Sequence, residues 1–135
     1  MLSVIITADK IVDNIYERDS EIVKMLKSYK IEHEIVYVCN EDYSDRQLIT
    51  TLVRDQPEHS ILVMGKDTNL STLIYAGIAR ANGNEVLLLT VDTNRQLIAD
   101  ILEKRKDGYE SIVVQKKQKG ITSFMTSIGS VTYKM

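Results

Sequence analysis

Short apolar runs punctuate the chain at nearly regular intervals: SVIIT (3–7), EIVYVC (34–39), SILVM (60–64), EVLLLT (85–90) and SIVVQ (111–115). Each is rich in Val, Ile and Leu and close to continuous, as expected of strands covered on both faces. The stretches between them carry the 3-4 spacing of amphipathic helices. Ile15, Ile22, Leu26 and Tyr29 share one helical face, and Leu48, Ile49, Leu52 and Val53 a second. Leu70, Leu73, Ile74, Gly77 and Ala81 mark a third helix, and Leu97, Ile98, Ile101 and Leu102 a fourth. Two helix starts read as capping boxes, Ser44 with Gln47 and Thr93 with Gln96, in which hydroxyl and amide satisfy each other's backbone N–H groups.

Strand and helix in alternation predict an α/β fold with a single doubly wound, mainly parallel five-stranded sheet. Right-handed crossovers place helices on both faces, and the flavodoxin-like strand order 2-1-3-4-5 is the expected arrangement. Pro57 ends the second helix just before the third strand. No linker or repeat interrupts residues 1–135, which read as one Rossmann-like domain with a core over 1–118. The tail, 119–135, is rich in Ser and Thr and is expected to add a terminal strand or hairpin.

Composition adds little to this and excludes several classes. With 135 residues, 44 % hydrophobic and 27 % charged, the chain reads as one ordinary globular domain. The single cysteine, Cys39, lies in an apolar run and reads as a small buried hydrophobe; no disulfide framework can form, and a cytoplasmic setting is expected. The N-terminus lacks the basic and long apolar regions of a signal peptide, and no apolar run is long enough to span a membrane. The net charge is −2, but Lys104, Arg105, Lys106, Lys116, Lys117, Lys119 and Lys134 make the last quarter basic. Without interleaved stacking aromatics this reads as a solvated face rather than a nucleic-acid surface.

In an open parallel sheet, ligands bind outside the carboxyl ends of the strands, where the strand order switches. With the order above, the switch falls between strands one and three. The groups that would line it are Asp9 after strand one, Gly65, Asp67, Thr68 and Asn69 after strand three, and Thr90 and Asp92 after strand four. Asp9 and Asp67 facing each other could bind a metal, hydrogen-bond a sugar or act as acid and base; either could equally cap its helix. The loop GKDTN matches neither common phosphate-binding glycine pattern. His33 and His59 lie at strand starts, away from the cleft and far from Cys39 in sequence, so both read as surface residues and no metal site is expected.

The segment YAGIARANGNEVLLLTVD (75–92) resembles the helix-to-strand signature of the nucleoside 2-deoxyribosyltransferase-like proteins, E-I-G-x-A-x-A-x-G-K-P-V after an aspartate-rich loop. Gly77, Ala79, Ala81, Gly83 and Val86 fall on its small and apolar positions, Asp67 falls in its loop, and the likeness extends over residues 45–92. It implies a small nucleoside or nucleotide ligand, held at Asp9, Gly65, Asp67, Thr68, Asn69, Tyr75, Thr90 and Asp92, with no cofactor. Any activity would be glycosyl transfer or hydrolysis. The family's nucleophilic glutamate falls on Tyr75, and its Lys-Pro on Asn84 and Glu85. A phenol buried on a helix is almost wholly protonated at neutral pH, so the expectation is a nucleotide-recognising pseudoenzyme, with Asp67 as the remaining catalytic candidate. A second resemblance, to response-regulator receivers, maps their hydroxyl and lysine to Thr90 and to Lys116 or Lys117. Their phosphoacceptor aspartate meets Met64 or Gly65, and the alternative it implies is a non-catalytic module that forms a homo-oligomer or holds a partner protein. A likeness of MLKSYKIEHEIVYVCNEDYSDRQLI to glutaredoxins lacks the C-x-x-C motif.

Overall fold

The computed structural model describes residues 1–106 and 133–134. Strands β1 (Leu2–Ala8), β2 (His33–Asn40), β3 (His59–Met64) and β4 (Glu85–Thr90) alternate with helices α1 (Ile15–Ser28), α2 (Arg46–Arg54), α3 (Leu70–Arg80) and α4 (Arg95–Lys106); β5 (Tyr133–Lys134) closes the series. The first four strands are parallel, and β5 runs antiparallel to β4. The fifth apolar run, SIVVQ, and Lys116 and Lys117 lie outside the described residues.

The sheet order is β3-β2-β1-β4-β5, which corrects the expected 2-1-3-4-5. Crossovers through α1 and α2 step outward from β1 to β2 to β3. The chain then returns through α3 across the opposite face and enters the sheet on the other side of β1. Gly77 permits that return: a Cβ there would overlap Ile5 Cγ2 and lie 3.0 Å from Val38 Cγ2, so the helix rides directly over β1 and β2. Gly83 then passes against the Met1 carbonyl and Ser3, where a Cβ would again collide. The strand at the edge is therefore β3. Its run is as apolar as the others, but its residues are mostly half-buried and Val63 is 40 % exposed, whereas β1 is buried throughout.

One face of the sheet carries Val4, Ile6, Ile35, Tyr37, Cys39, Leu87 and Leu89 under α1, α2 and α4, which contribute Ile15, Ile22, Leu26, Ile49, Leu52, Ile98 and Leu102. The other carries Ile5, Val36, Val38, Val86 and Leu88 against Leu73 of α3, with Leu70, Ile74 and Ile78 packed alongside. Had a parallel strand followed α4 outward of β4, the right-handed rule would have put α4 beside α3. The antiparallel β5 removes that constraint, and α4 packs beside α1. Its last turn is clamped to the start of β4: Arg105 donates from Nε and Nη2 to the two carboxylate oxygens of Glu85, at 3.3 and 2.8 Å.

Neither expected capping box forms. Helix α2 starts after Asp45, leaving Ser44 in the preceding turn. The Thr93 hydroxyl accepts from the Thr90 N–H at 2.8 Å, and the cap of α4 passes to Asn94, whose Oδ1 accepts from the N–H groups of Gln96 and Leu97. A threonine hydroxyl that closes its own turn is not free to cap the next helix. Asn69, not Asp67, caps α3, accepting from the Thr72 N–H at 2.9 Å.

At the amino edge, Glu34 accepts from Ser3 Oγ (2.5 Å), the Asn82 N–H (2.6 Å) and Asn82 Nδ2 (3.1 Å), while Ser3 Oγ accepts from the Gly83 N–H (2.8 Å). Partial burial pushes the Glu34 carboxyl up, but the hydrogen bonds from Ser3, Asn82 and Gly83 outweigh it and hold the group below its ordinary 4.5. A lowered folded-state value means that the carboxylate stabilises the fold above its unfolded value and loses that contribution as pH falls through the folded one. In urea melts, Glu34→Gln is expected to destabilise the protein at neutral pH, and its difference from the parent to shrink as pH is lowered from about 6 to about 3. Gly77→Ala is expected to cost about 1–3 kcal/mol in the same melts, since the overlap with Ile5 and Val38 exceeds the gain in helix propensity.

Candidate functional site

With β1 and β4 as neighbours, the order reverses between them rather than between β1 and β3. Thr7 pairs with Thr90, and the ladder continues through the Val91 N–H to the Thr7 carbonyl at 2.8 Å. Asp9 and Asp92, each two residues further on, therefore leave the sheet at the same level on adjacent strands. Asp9 is exposed and Asp92 half-buried. The Thr90 hydroxyl donates to Asp92 Oδ1 at 2.7 Å and lies 3.0 Å from Thr93 Oγ1, which fixes the β4 side of this rim.

The expected facing of Asp9 and Asp67 does not occur. Asp67 follows β3, which β2 separates from β1, so about 10 Å of sheet intervenes at the usual strand spacing. Gly65, Asp67, Thr68 and Asn69 form a turn of their own. Asp67 is exposed, with a left-handed backbone (φ 61). The Thr68 hydroxyl donates to the Gly65 carbonyl at 2.6 Å, and Asn69 is engaged as the α3 cap. Tyr75 is 62 % exposed on α3, rather than a phenol buried on a helix.

Two residues at the ends of the strands were not anticipated. Tyr43, in the loop after β2, donates its hydroxyl to the Lys10 carbonyl at 2.8 Å and so ties the loop after β1 to the loop after β2. Burial, followed by the negative charges of Asp45, Cys39 and Asp9, pushes its phenol up to about 12, keeping it a donor. Asn40, the last residue of β2, donates from Nδ2 to the Thr68 carbonyl at 3.2 Å, while its buried Oδ1 has no donor among the described residues. Cys39 beside it is buried as expected, and burial, only partly offset by Arg46, pushes its thiol up.

Deeper on the same side lies a polar network that corrects the reading of His59 as a surface residue. His59 is 7 % exposed. Its Nε2 is 2.9 Å from both carboxylate oxygens of Asp19, which also accepts from the Tyr37 hydroxyl at 2.6 Å. The Tyr37 and His59 rings stack with centroids 6.4 Å apart. Burial, then the charge of Asp19 and the hydrogen bond to it, hold the Tyr37 phenol well above its ordinary value, so it remains a donor throughout the neutral range. The signal in the sequence was Asp19 itself, four residues after Ile15 and three before Ile22. A carboxylate on the apolar stripe of a helix requires a buried partner.

A small cleft opens between α1 and α4 beside this network. Ile6, Ile22, Tyr37 and Ile98 line its depth; Thr90 and Thr93 lie at one end, and Arg18, Glu21 and Arg95 border its mouth. Arg95 Nε and Glu21 Oε2 form an ion pair across it at 3.6 Å. Among the described residues, no group of three or more His, Cys, Asp or Glu side chains is placed to hold a metal ion, and no helix is long and apolar enough to cross a membrane.

No known family model matches the chain. Among curated proteins it is similar to an uncharacterised glycosyltransferase, YkcC, of Bacillus subtilis (strain 168), at 26 % identity over 132 residues. The match covers 93 % of this chain and 39 % of that protein, so the chain spans well under half the length of the relative it matches. The parallel α/β architecture fits the broad Rossmann-like class.

The buried network yields a prediction that separates its parts. Asp19→Ala strands the Tyr37 hydroxyl and His59 Nε2 without an acceptor and is expected to cost roughly 2–4 kcal/mol in urea melts. Tyr37→Phe removes donor and bond together, and is expected to cost about 1 kcal/mol.

Proposed function

We propose that this domain recognises a nucleotide, as the nucleotide part of an activated sugar in a protein of the glycosyl-transferring kind. The observation that carries the reading is the adjacency of β1 and β4, which brings Asp9, Thr90 and Asp92 together at the one place where the strand order reverses. Such a reversal is the usual nucleotide position of open parallel sheets. The similarity to a protein named as a glycosyltransferase, spread over nearly the whole chain, supports the class of reaction.

In this reading the Asp9 carboxylate accepts from sugar hydroxyls, and Asp92, oriented by the Thr90 hydroxyl, forms the opposite wall. Asn40 Oδ1 supplies an acceptor awaiting an N–H or O–H donor; a buried acceptor left unpaired costs about 1–3 kcal/mol, and a ligand that fills it recovers that. The narrower likeness to nucleoside 2-deoxyribosyltransferase-like proteins shares this ligand class. It supplies no carboxylate at Tyr75 for a covalent sugar intermediate, so transfer would proceed by attack of an acceptor hydroxyl on the anomeric carbon of the nucleoside diphosphate sugar: the new carbon–oxygen bond replaces the bond to the phosphate oxygen, the nucleoside diphosphate leaves with that electron pair, and the hydroxyl proton passes to a carboxylate of the Asp9 and Asp92 pair. The turn from Gly65 to Asn69 stands outside the site in this proposal.

The test is isothermal titration of the full chain with nucleosides, nucleoside mono- and diphosphates and nucleoside diphosphate sugars. Binding is expected for at least one phosphorylated member, weakened about tenfold or more by Asp92→Asn, the range for loss of one or two charge-assisted hydrogen bonds. Asp67→Asn is expected to leave it unchanged. Absence of binding to every member at millimolar concentration refutes the reading, as does binding that is indifferent to Asp92 and lost with Asp67.

A further inference from the structure

Strand β3 ends the sheet, and among the described residues no strand pairs with its outer side. Its inner side is occupied. The Ile35 N–H donates to the Glu58 carbonyl at 2.9 Å and the Glu41 N–H to the Met64 carbonyl at 2.7 Å, so in this parallel ladder Ser60, Leu62 and Met64 turn their backbone groups toward β2. The N–H and C=O groups of Ile61 and Val63 therefore point outward. Edge strands are ordinarily protected by lysine, proline or an inward-pointing charge. The segment HSILVM holds no lysine, proline or carboxylate, and Val63 on it is among the exposed large apolar residues.

We propose that β3 pairs with β3 of a second copy of this chain, antiparallel and centred on Leu62, to give one continuous sheet through the dimer. This register makes Ile61 of each copy exchange backbone hydrogen bonds with Val63 of the other, which uses the outward groups and no others. It also aligns the Gly65 N–H of each copy with the His59 carbonyl of the other. Leu62 meets Leu62 at the two-fold axis on the α3 face, and Val63 is covered by Ile61 on the α2 face. Charge selects the same register: it sets Glu58 of each copy opposite Lys66 of the other, at both ends of the paired strands. Centring one residue earlier sets Glu58 against Met64 and Lys66 against Gln56; one residue later sets Lys66 against Ser60. Only the Leu62-centred register opposes unlike charges twice.

Pairing six-residue edges buries far less than the roughly 1,600 Å² of a standard interface, so the dimer is concentration-dependent. The experiment is sedimentation velocity on the full chain from low to high micromolar concentration. A monomer–dimer equilibrium is expected. Lys66→Glu places like charges opposite each other at both ends and is expected to weaken it about tenfold or more. The double variant Glu58→Lys with Lys66→Glu restores unlike charges and is expected to recover dimerisation to within about threefold of the parent. A monomer at every concentration overturns the proposal. So does a dimer indifferent to Lys66→Glu, or one that the double variant fails to rescue while circular dichroism shows it folded. The nucleotide site lies two strands away, so titration of the monomeric Lys66→Glu variant tests that reading separately.

Discussion

The close approach of Gly77 to the side chains of Ile5 and Val38 underlies what stands next to what along the carboxyl edge of the sheet. An α-helix with a Cβ at that position would have to lift from the sheet or slide along it. Because it does neither, α3 crosses β2 and β1 closely enough to deliver the chain to the far side of β1, and Gly83 admits it past Ser3 and the first residue. From that route follow the reversal of strand order between β1 and β4, the pairing of Thr7 with Thr90, and the level at which Asp9 and Asp92 emerge. The Glu34 network, which gathers Ser3, Asn82 and Gly83, holds the end of the same crossing. A helix-to-strand stretch of small residues thus serves the site without belonging to it.

The first four strands and the four helices of the described residues were legible in the sequence, because uninterrupted Val, Ile and Leu runs and 3-4 apolar spacing are local signals. Strand order was not. SILVM and EVLLLT are equally apolar, and nothing in either run says which of them neighbours β1; that is decided by crossover geometry. The error carried through to the site, since it placed the switch at β3 and gathered Gly65, Asp67, Thr68 and Asn69 around Asp9. Asp9, Thr90 and Asp92 stand together in the observed order because β1 and β4 are neighbours in it, whereas the expected order set strand three between them. The capping box at Thr93 failed for a local reason: Thr93 accepts from the Thr90 N–H instead, and Asn94 caps the helix.

Asp19 shows a different limit. Its position among Ile15, Ile22 and Leu26 marks it as buried, but its partners come from β2 and β3, and no local pattern couples residue 19 to residues 37 and 59. The network fastens α1 to β2 and β3 through Tyr37 and His59, and Tyr37 also lines the cleft between α1 and α4. Arg18, the preceding residue, stands at the mouth of that cleft.

The strand β4 and the helix α4 are joined at both extremities, by Thr93 at the Thr90 backbone and by the two-pronged grip of Arg105 on Glu85. Together they run from the carboxyl edge of the sheet to its amino edge. At its far end the same pair meets the last described strand, since Glu85, held by Arg105, is aligned with Lys134 in the register of β5. One strand and one helix thereby link the loop that carries Asp92 to the edge where the chain's final described residues join the sheet.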